Sequence, residues 1–253
     1  MSPRGRLLVF LVPALAGAAL FVWAFTGLPR FGHYPGPYGD IINARAGPER
    51  HATSAVTPVV FDYRGFDTIG EEFILFAAVI GVSMLLRRQR DEEEHSPRDH
   101  AEAHAALPTA DAVRILCMAL VAPMIVLGTY IVTHGHLTPG GGFQGGVILA
   151  GGPILVYLAG RYITFRQLSP MALLDLGEGA GAGGFVLIGF VGLLAGAAFL
   201  ENVFPLGKTG SVFSAGTMPV INLAVGLEVA AGVVLIIFEF LEQALIVGVR
   251  ESN

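Results

Sequence analysis

The chain has 253 residues, of which 53% are hydrophobic and only 14% are charged, with a mean hydropathy of +0.66 and a formal net charge of -5. This balance excludes an ordinary soluble domain and is typical of an integral membrane protein. The chain has a single cysteine and no CxxC pair, which excludes a disulfide framework, a zinc-finger spacing and an iron–sulfur or haem signature. No cofactor, no resident metal and no nucleic acid partner is therefore expected.

Six apolar stretches approach the roughly 20 residues that a helix needs to cross a bilayer. In the second stretch the charge-free part, residues 73–86, is too short to span alone, which places Glu71 and Glu72 at or within the membrane boundary. The third contains Pro123, which predicts a kink. The sequence thus predicts an all-α, polytopic membrane protein with about six transmembrane helices, at residues 7–28, 68–86, 115–133, 143–160, 179–200 and 218–238.

A polar linker, residues 91–111, divides the chain into an amino-terminal part, residues 1–90, and a carboxyl-terminal four-helix part, residues 112–253. The linker contains three histidines, but solvated acidic linkers commonly carry histidine without binding a metal. The three histidines are His95, His100 and His104.

The orientation follows from the basic residues. If both termini face one side of the membrane, basic residues are in excess on that side, and the positive-inside rule places both termini in the cytoplasm.

A glycine-rich stretch, GHLTPGGGFQGG, joins the third and fourth apolar runs at residues 135–146. It contains a G-x-G-x-x-G match, but no strand precedes it and the next acidic residue, Asp175, is too distant for a dinucleotide site. The stretch instead predicts a tight turn at a membrane face, followed by a helix that packs closely against a neighbour. The residues assigned to this turn are Pro139, Gly140, Gly141, Gly142, Phe143, Gly145 and Gly146.

Asp67 and Glu71 are four residues apart, so their side chains share one face if the helix already includes Asp67. Two carboxylates near a low-dielectric boundary suit a site that takes up and hands on protons or sodium. Alternatively, Asp67 or Thr68 caps the helix and Glu71 or Glu72 completes a capping box. Glu72 points elsewhere than this pair and is expected to be interfacial.

Glu228 lies ten residues from each end of the sixth predicted span, where an ionisable group costs at least about 2.5 kcal/mol unless it faces a partner or water. We expect it to face another helix. With Glu239 and Glu242 it forms an acidic stripe, which is typical of a proton or cation path and also of a polar contact between helices. Lys208, the only lysine, is consistent with a proton-exchanging group or with a plain loop residue.

Two stretches carry a family resemblance. Residues 61–82 read FDYRGFDTIGEEFILFAAVIGV and resemble the two-helix module at the carboxyl end of the large A component of Mrp-type multisubunit cation/proton antiporters, which is a separate, small E component in membrane-bound hydrogenases. The glycine-rich stretch, together with PLGKTGSVFSAGTMPVINLAVGLEVAAG at residues 205–232, resembles the MnhB family, the B component of these antiporters. Residues 1–90 then comprise a first span plus an E-like module, and residues 112–253 an MnhB-like domain.

The resemblance implies a non-enzymatic, multi-pass subunit of a Na+(K+)/H+ antiporter in the plasma membrane of a prokaryote. Its implied partners are the A, C, D, E, F and G-like subunits, the lipid bilayer, protons, and Na+ or K+. It favours Glu71 first and Asp67 second as ion-translocating residues and supports Lys208, whereas Glu228 rests on the residues alone. Two alternatives stay open: an ion-pumping membrane subunit of a hydrogenase-type or other respiratory redox complex, and a purely structural sealing subunit.

Overall fold

The computed structural model describes residues 3–28, 32, 36–86, 109–160 and 162–251. No strand occurs in these residues, which confirms the all-α prediction. The chain forms two compact units, Met1–Ile41 and Ile42–Asn253. Most of the predicted linker, residues 91–108, lies outside the described residues, and its three histidines lie there too.

Nine helices occur in the described residues. The first unit contains α1, and α2 runs across the boundary between the units. A three-residue helix, α3, continues directly into one π-helical turn, Val59–Tyr63. In chain order the helices are α1 Pro3–Thr26, α2 Tyr38–Arg50, α3 Val56–Pro58, α4 Gly65–Leu86, α5 Asp111–Thr133, α6 Gly142–Leu158, α7 Tyr162–Leu168, α8 Met171–Leu194 and α9 Met218–Glu251.

Four described helices are long and apolar enough to cross a membrane by length and composition: α4, α5, α8 and the Met218–Leu241 part of α9. Two predicted spans form shorter apolar helices, Phe10–Thr26 within α1 and the whole of α6. Each of the six predicted stretches therefore falls wholly or largely on a helix, and the polytopic class is confirmed.

The predicted position of the fifth span, residues 179–200, is wrong at both ends. Helix α8 begins about two turns earlier, at Met171, and so includes Asp175 and Glu178. The prediction missed this start because charged residues are atypical of an apolar span. It ends at Leu194 because Gly196 has a φ of 78°, and the Gly196 N–H donates to the Leu193 carbonyl while the Ala197 N–H donates to that of Gly192. This pattern of left-handed glycine and paired hydrogen bonds is a Schellman motif, which stops a helix.

Helix α9 lies at the centre of the second unit and packs against α4, α6 and α8, while α5 packs against α6. Glycines permit the closest approaches. A Cβ built on Gly142 would lie 2.6 Å from the Asn222 carbonyl oxygen, and one on Gly146 would lie 2.9 Å from that of Gly226. Where lipid is as apolar as the side chains, such close backbone packing is a main source of helix association.

One core joins the two stretches that carry the family resemblance. Phe61 and Ile69 from the amino-terminal stretch pack in the same buried cluster as Phe185, Ile221 and Val225. Phe61 and Phe185 meet edge to face, with ring centroids 5.9 Å apart. The E-like segment is thus an integral part of the packed second unit.

The segment that leads into α4 is anchored by a partly buried ion pair. Arg50 Nε lies 2.5 Å from Asp62 Oδ2, and the guanidinium also lies over the Tyr63 ring at 5.3 Å. Burial raises the pKa of the Asp62 carboxyl, and the nearby Arg50 charge opposes that rise. This pair fixes the chain just before the helix that carries Glu71 and Glu72.

Candidate functional site

Glu228 is completely buried near the middle of the apolar Met218–Leu241 part of α9, between two other helices. On one side the backbone of α8 lies against it, because a Cβ built on Gly181 would be only 2.6 Å from Glu228 Cβ and from Glu228 N. On the other side lies α4. Glu228 therefore faces other helices of its own chain, as the sequence predicts, and its role stays a prediction.

The side chain that faces Glu228 from α4 is Glu72, which is 2% exposed. The two helices also meet at Gly232, one turn beyond Glu228 on α9, where a built Cβ would lie 3.0 Å from Val79, two turns beyond Glu72 on α4. Among the described residues no backbone or other side-chain donor bonds any of the four carboxyl oxygens of Glu72 and Glu228, and the two carboxyl groups lie close enough to share a hydrogen bond with each other when one of them carries a proton. Two adjacent carboxylates that are both ionised repel strongly in a low-dielectric core, so the pair is stable only when it holds a proton or a cation.

A third carboxyl group, that of Glu178 on α8, is also buried, and its Oε1 has no hydrogen-bond partner in the described part of the chain. It interacts electrostatically with Glu228 and with Asp175, one turn earlier on the same helix. Asp175 is exposed. Carboxyl groups thus extend from the centre of the helix packing to the surface of α8.

The prediction that Glu72 points away from Asp67 and Glu71 is confirmed, but the prediction that it is interfacial is wrong, because its side chain is buried in the α4–α9 contact. Glu178 was missed by sequence reasoning. Helix α4 is apolar on almost every side, so periodicity could not decide which of two adjacent glutamates faces inward. The signal for Glu178 was its position beside Gly177 and Gly181, which form a small-residue face on α8.

Glu71 and Asp67 lie on the outside of α4. Asp67 is paired with Arg64, whose Nη2 is 2.5 Å and whose Nε is 2.7 Å from Asp67 Oδ2. The hydroxyl of Thr68 donates to the Val60 carbonyl at 2.6 Å and caps nothing. Because α4 begins at Gly65, Asp67 and Glu71 lie four residues apart within one helix and are both exposed, as the first interpretation requires, and their shared role stays a prediction.

Glu71 instead lines a surface pocket of about 570 Å³ together with the glycine-rich turn. The structure thus brings two separately predicted features to one place, although they are far apart in the sequence. Apart from Glu71, the lining is mainly apolar side chains and glycine backbone. The other lining residues are Val56, Val60, Phe61, Thr68, Gly140, Gly141, Gly142, Phe143, Gln144, Val147 and Ile148.

The turn itself has the tight geometry that the sequence predicts. Gly140 and Gly141 have φ values of 137° and 151°, which side-chain-bearing residues rarely adopt. The Gly142 N–H donates to Asn222 Oδ1 at 2.8 Å, and Asn222 is fully buried on α9. Pro139 is exposed at the tip. The turn is therefore fixed by α9, the same helix that carries Glu228.

His136 lies within this turn and is fully buried. Its Nε2 donates to the Ser211 carbonyl at 3.3 Å, its own carbonyl accepts from the backbone N–H groups of Thr53 and Ser54, and its Nδ1 has no partner among the described residues. Burial lowers the pKa of the His136 imidazole. The described residues contain no group of three or more His, Cys, Asp or Glu side chains that could hold a metal ion.

The remaining predicted residues are not joined to the buried glutamates. Lys208 is exposed in the loop that connects α8 to α9, and no described contact links it to Glu72, Glu178 or Glu228. Glu239 is half-buried on α9, and the side chain of Glu242 lies outside the described residues. The acidic stripe along α9 stays a prediction.

Two family matches cover most of the chain. Residues 112–235 match a domain related to the MnhB subunit of Na+/H+ antiporter. Residues 4–101 match the MbhE family, described as the E component of MBH. The two matches fall on the stretches that carry the sequence resemblance and in the same order.

Individual relatives and a solved structure also match the chain over much of its length. The chain is 34% identical over 197 residues to a protein of Methanocaldococcus jannaschii without an assigned function, covering 70% of this chain and 72% of that protein. It is 36% identical over 108 residues to the B component of the Na+/H+ antiporter of Bacillus subtilis, covering 40% of this chain and 75% of that protein. Among solved structures, a chain of the membrane-bound sulfane sulfur reductase, an archaeal respiratory membrane complex, matches with a TM-score of 0.69 and 30% identity, covering 94% of this chain and 98% of that one.

Proposed function

The chain belongs to the MnhB family of antiporter subunits, and on that basis we propose that it is a membrane subunit of a multisubunit Na+(K+)/H+ antiporter and carries part of the ion path. It acts with other membrane subunits and carries out no chemical reaction itself. We further propose that these partners include the A, C, D, E, F and G-like subunits, and that both termini face the cytoplasm.

The observation that carries the proposal is the buried pair of Glu72 and Glu228. A buried carboxylate without a partner is costly, and a structural role would be served equally well by glutamine or by apolar side chains. Two facing carboxyl groups that accept from no other described donor form a site that can hold one proton or one cation between them and release it. Such a site is what coupled ion exchange requires.

The membrane-facing surface supports assembly with other subunits. Apolar side chains on α5 are widely exposed, with Ile115 at 68% and Val126 at 69%. An apolar surface of this kind must be covered by lipid or by neighbouring helices. The chain is thus suited to work within a larger membrane complex.

The proposal is tested with Glu228→Gln, which keeps the shape of the side chain and cannot carry a proton. In membrane vesicles that contain the assembled complex, we expect cation-dependent proton exchange to fall by about tenfold or more, with all subunits retained. The matched control is Glu201→Gln in the α8–α9 loop, an exposed glutamate whose Oε2 accepts from the Ala198 N–H. Normal exchange by an assembled Glu228→Gln complex would contradict the ion-path role and favour a structural subunit.

A second function is favoured by one observation: the chain covers 98% of a chain from an archaeal respiratory complex at 30% identity. In this alternative the same ion path serves a redox complex, and electron transfer in other subunits drives it. Purification of the native complex separates the two functions. Redox subunits with iron–sulfur centres would support the respiratory alternative, whereas only antiporter-type membrane subunits would support the first proposal.

A further inference from the structure

We infer that Glu178 is the second exchange partner of Glu228 and that it connects the buried Glu72–Glu228 pair to the surface of α8 at Asp175. This inference rests on the proposed function and extends it by giving the ion path a direction. A path needs a way out of the core as well as a buried site, and the pair alone provides none, since both of its side chains are fully enclosed.

The burial of Glu178 is the first step of the argument. Its side chain is only 6% exposed, yet Oε1 has no hydrogen-bond partner among the described residues. Buried polar atoms of this kind are usually satisfied by ordered water, and a water molecule with two to four polar partners fits between carboxyl groups. Glu178 therefore places a polar atom without a described partner in an otherwise apolar helix contact, and in the proposed path a bridging water satisfies this atom.

The second step is the closeness of α8 and α9 at this level. Built Cβ atoms on Gly177 and Gly181 would lie 3.3 Å from the Ala231 Cβ and 2.6 Å from the Glu228 Cβ. These two glycines flank Glu178 on the α9 side of the helix. The absence of side chains there brings Glu178 within electrostatic reach of Glu228.

The third step is the outlet. Asp175 precedes Glu178 by one helical turn, is exposed, and interacts electrostatically with it. The charged or titratable groups that act on Glu178 are Glu228 from α9 and Asp175 from α8 itself. The four carboxyl groups thus follow one another from the buried core to the surface, in the order Glu72, Glu228, Glu178 and Asp175. The last of them lies near the end at which α8 begins.

The transfer step balances without any further reactant. A proton leaves the carboxyl group of Glu228 and passes through a bridging water to the carboxylate of Glu178, so that one O–H bond breaks and one forms. The total charge of the two groups is unchanged and nothing is oxidised or reduced. The pair has then lost its one proton, and it is reset when a cation or another proton enters it.

The test compares Glu178→Gln and Glu178→Asp with Glu228→Gln, each in the assembled complex in membrane vesicles. We expect Glu178→Gln to lower exchange by about tenfold or more. We expect Glu178→Asp, which keeps a titratable group, to restore most of the rate and to shift its pH profile. A packing role would not produce that shift.

The outcomes separate the two proposals. If Glu178→Gln exchanges like wild type while Glu228→Gln is slow, the inference fails and the proposed function stands. If both variants exchange normally, both fail. If Glu178→Gln does not assemble, the aspartate variant decides, because an assembled Glu178→Asp complex with an unchanged rate and pH profile would overturn the inference.

Discussion

Substitution of Gly181 by alanine tests the close contact that positions Glu228. The new Cβ would lie 2.6 Å from Ala224 O, Glu228 Cβ and Glu228 N, whereas ordinary contacts lie between 3.4 and 4 Å. Two of these three atoms belong to the backbone, so the helices themselves would have to separate. Overpacking of this kind costs about 1–3 kcal/mol, partly offset by the roughly 1 kcal/mol by which alanine is favoured over glycine in a helix.

The same helix provides a matched control in Gly183, where a built Cβ meets nothing within 4 Å. Gly183→Ala gains the helix propensity without the clash, so the two variants should differ by about 1–3 kcal/mol. At about 2–4 °C per kcal/mol for a chain of this size, Gly181→Ala should melt about 2–12 °C below Gly183→Ala.

The assay uses the single cysteine, Cys117, which is buried in α5. A thiol-reactive fluorescent maleimide added to the purified chain in detergent reports unfolding when Cys117 becomes accessible. Equal melting temperatures for the two alanine variants would refute the close α8–α9 contact and, with it, the placement of Glu178 beside Glu228.

The remaining predictions concern the turn and the outer face of α4. Burial lowers the pKa of the His136 imidazole from its usual 6.5, so the folded state favours the neutral ring. The stability that the neutral, buried ring contributes is therefore complete above pH 6.5 and is lost as the pH falls below 6.5 toward the lowered pKa of the folded state. The melting temperature should therefore fall on acidification, and less so in His136→Gln; parallel pH curves for both proteins would contradict this. Glu71→Gln should reduce cation-dependent proton exchange in vesicles that contain the assembled complex, since Glu71 lines the pocket beside the glycine-rich turn. Asp67→Asn should have little effect, because Asp67 is paired with Arg64 at the surface. A larger loss of exchange in Asp67→Asn than in Glu71→Gln would assign the ion-translocating role to Asp67.

The sequence was sufficient for the fold class and for the positions of most helices, because long apolar runs have few alternatives in a membrane. The turn at residues 135–146 was also predictable, since adjacent glycines with positive φ leave a local signature. The start of α8 was not, because Asp175 and Glu178 look like loop residues until α9 is known to cover Glu178. At the start of α8 the local sequence pattern therefore predicts exposed residues, whereas the packing of α9 buries Glu178.

The candidate site was only half predictable. The depth of Glu228 in its helix is a property of the local sequence, and it identified the residue correctly as one that must face another helix. Its partner, Glu72, lies in the other half of the chain, and no local pattern specifies which side of an almost uniformly apolar helix packs inward. The choice between Glu71 and Glu72 is made by the α4–α9 contact, in which Val79 packs against Gly232.

The shared role of Glu72 and Glu228 is tested most directly by a double-mutant cycle on the exchange rate. Glu72→Gln, Glu228→Gln and the double variant are compared with wild type in vesicles that contain equal amounts of assembled complex. If the two carboxyl groups act as one unit, the double variant will be no slower than the slower single variant. If the two effects multiply, or if Glu72→Gln exchanges at the wild-type rate, the buried pair is not the proton-sharing site.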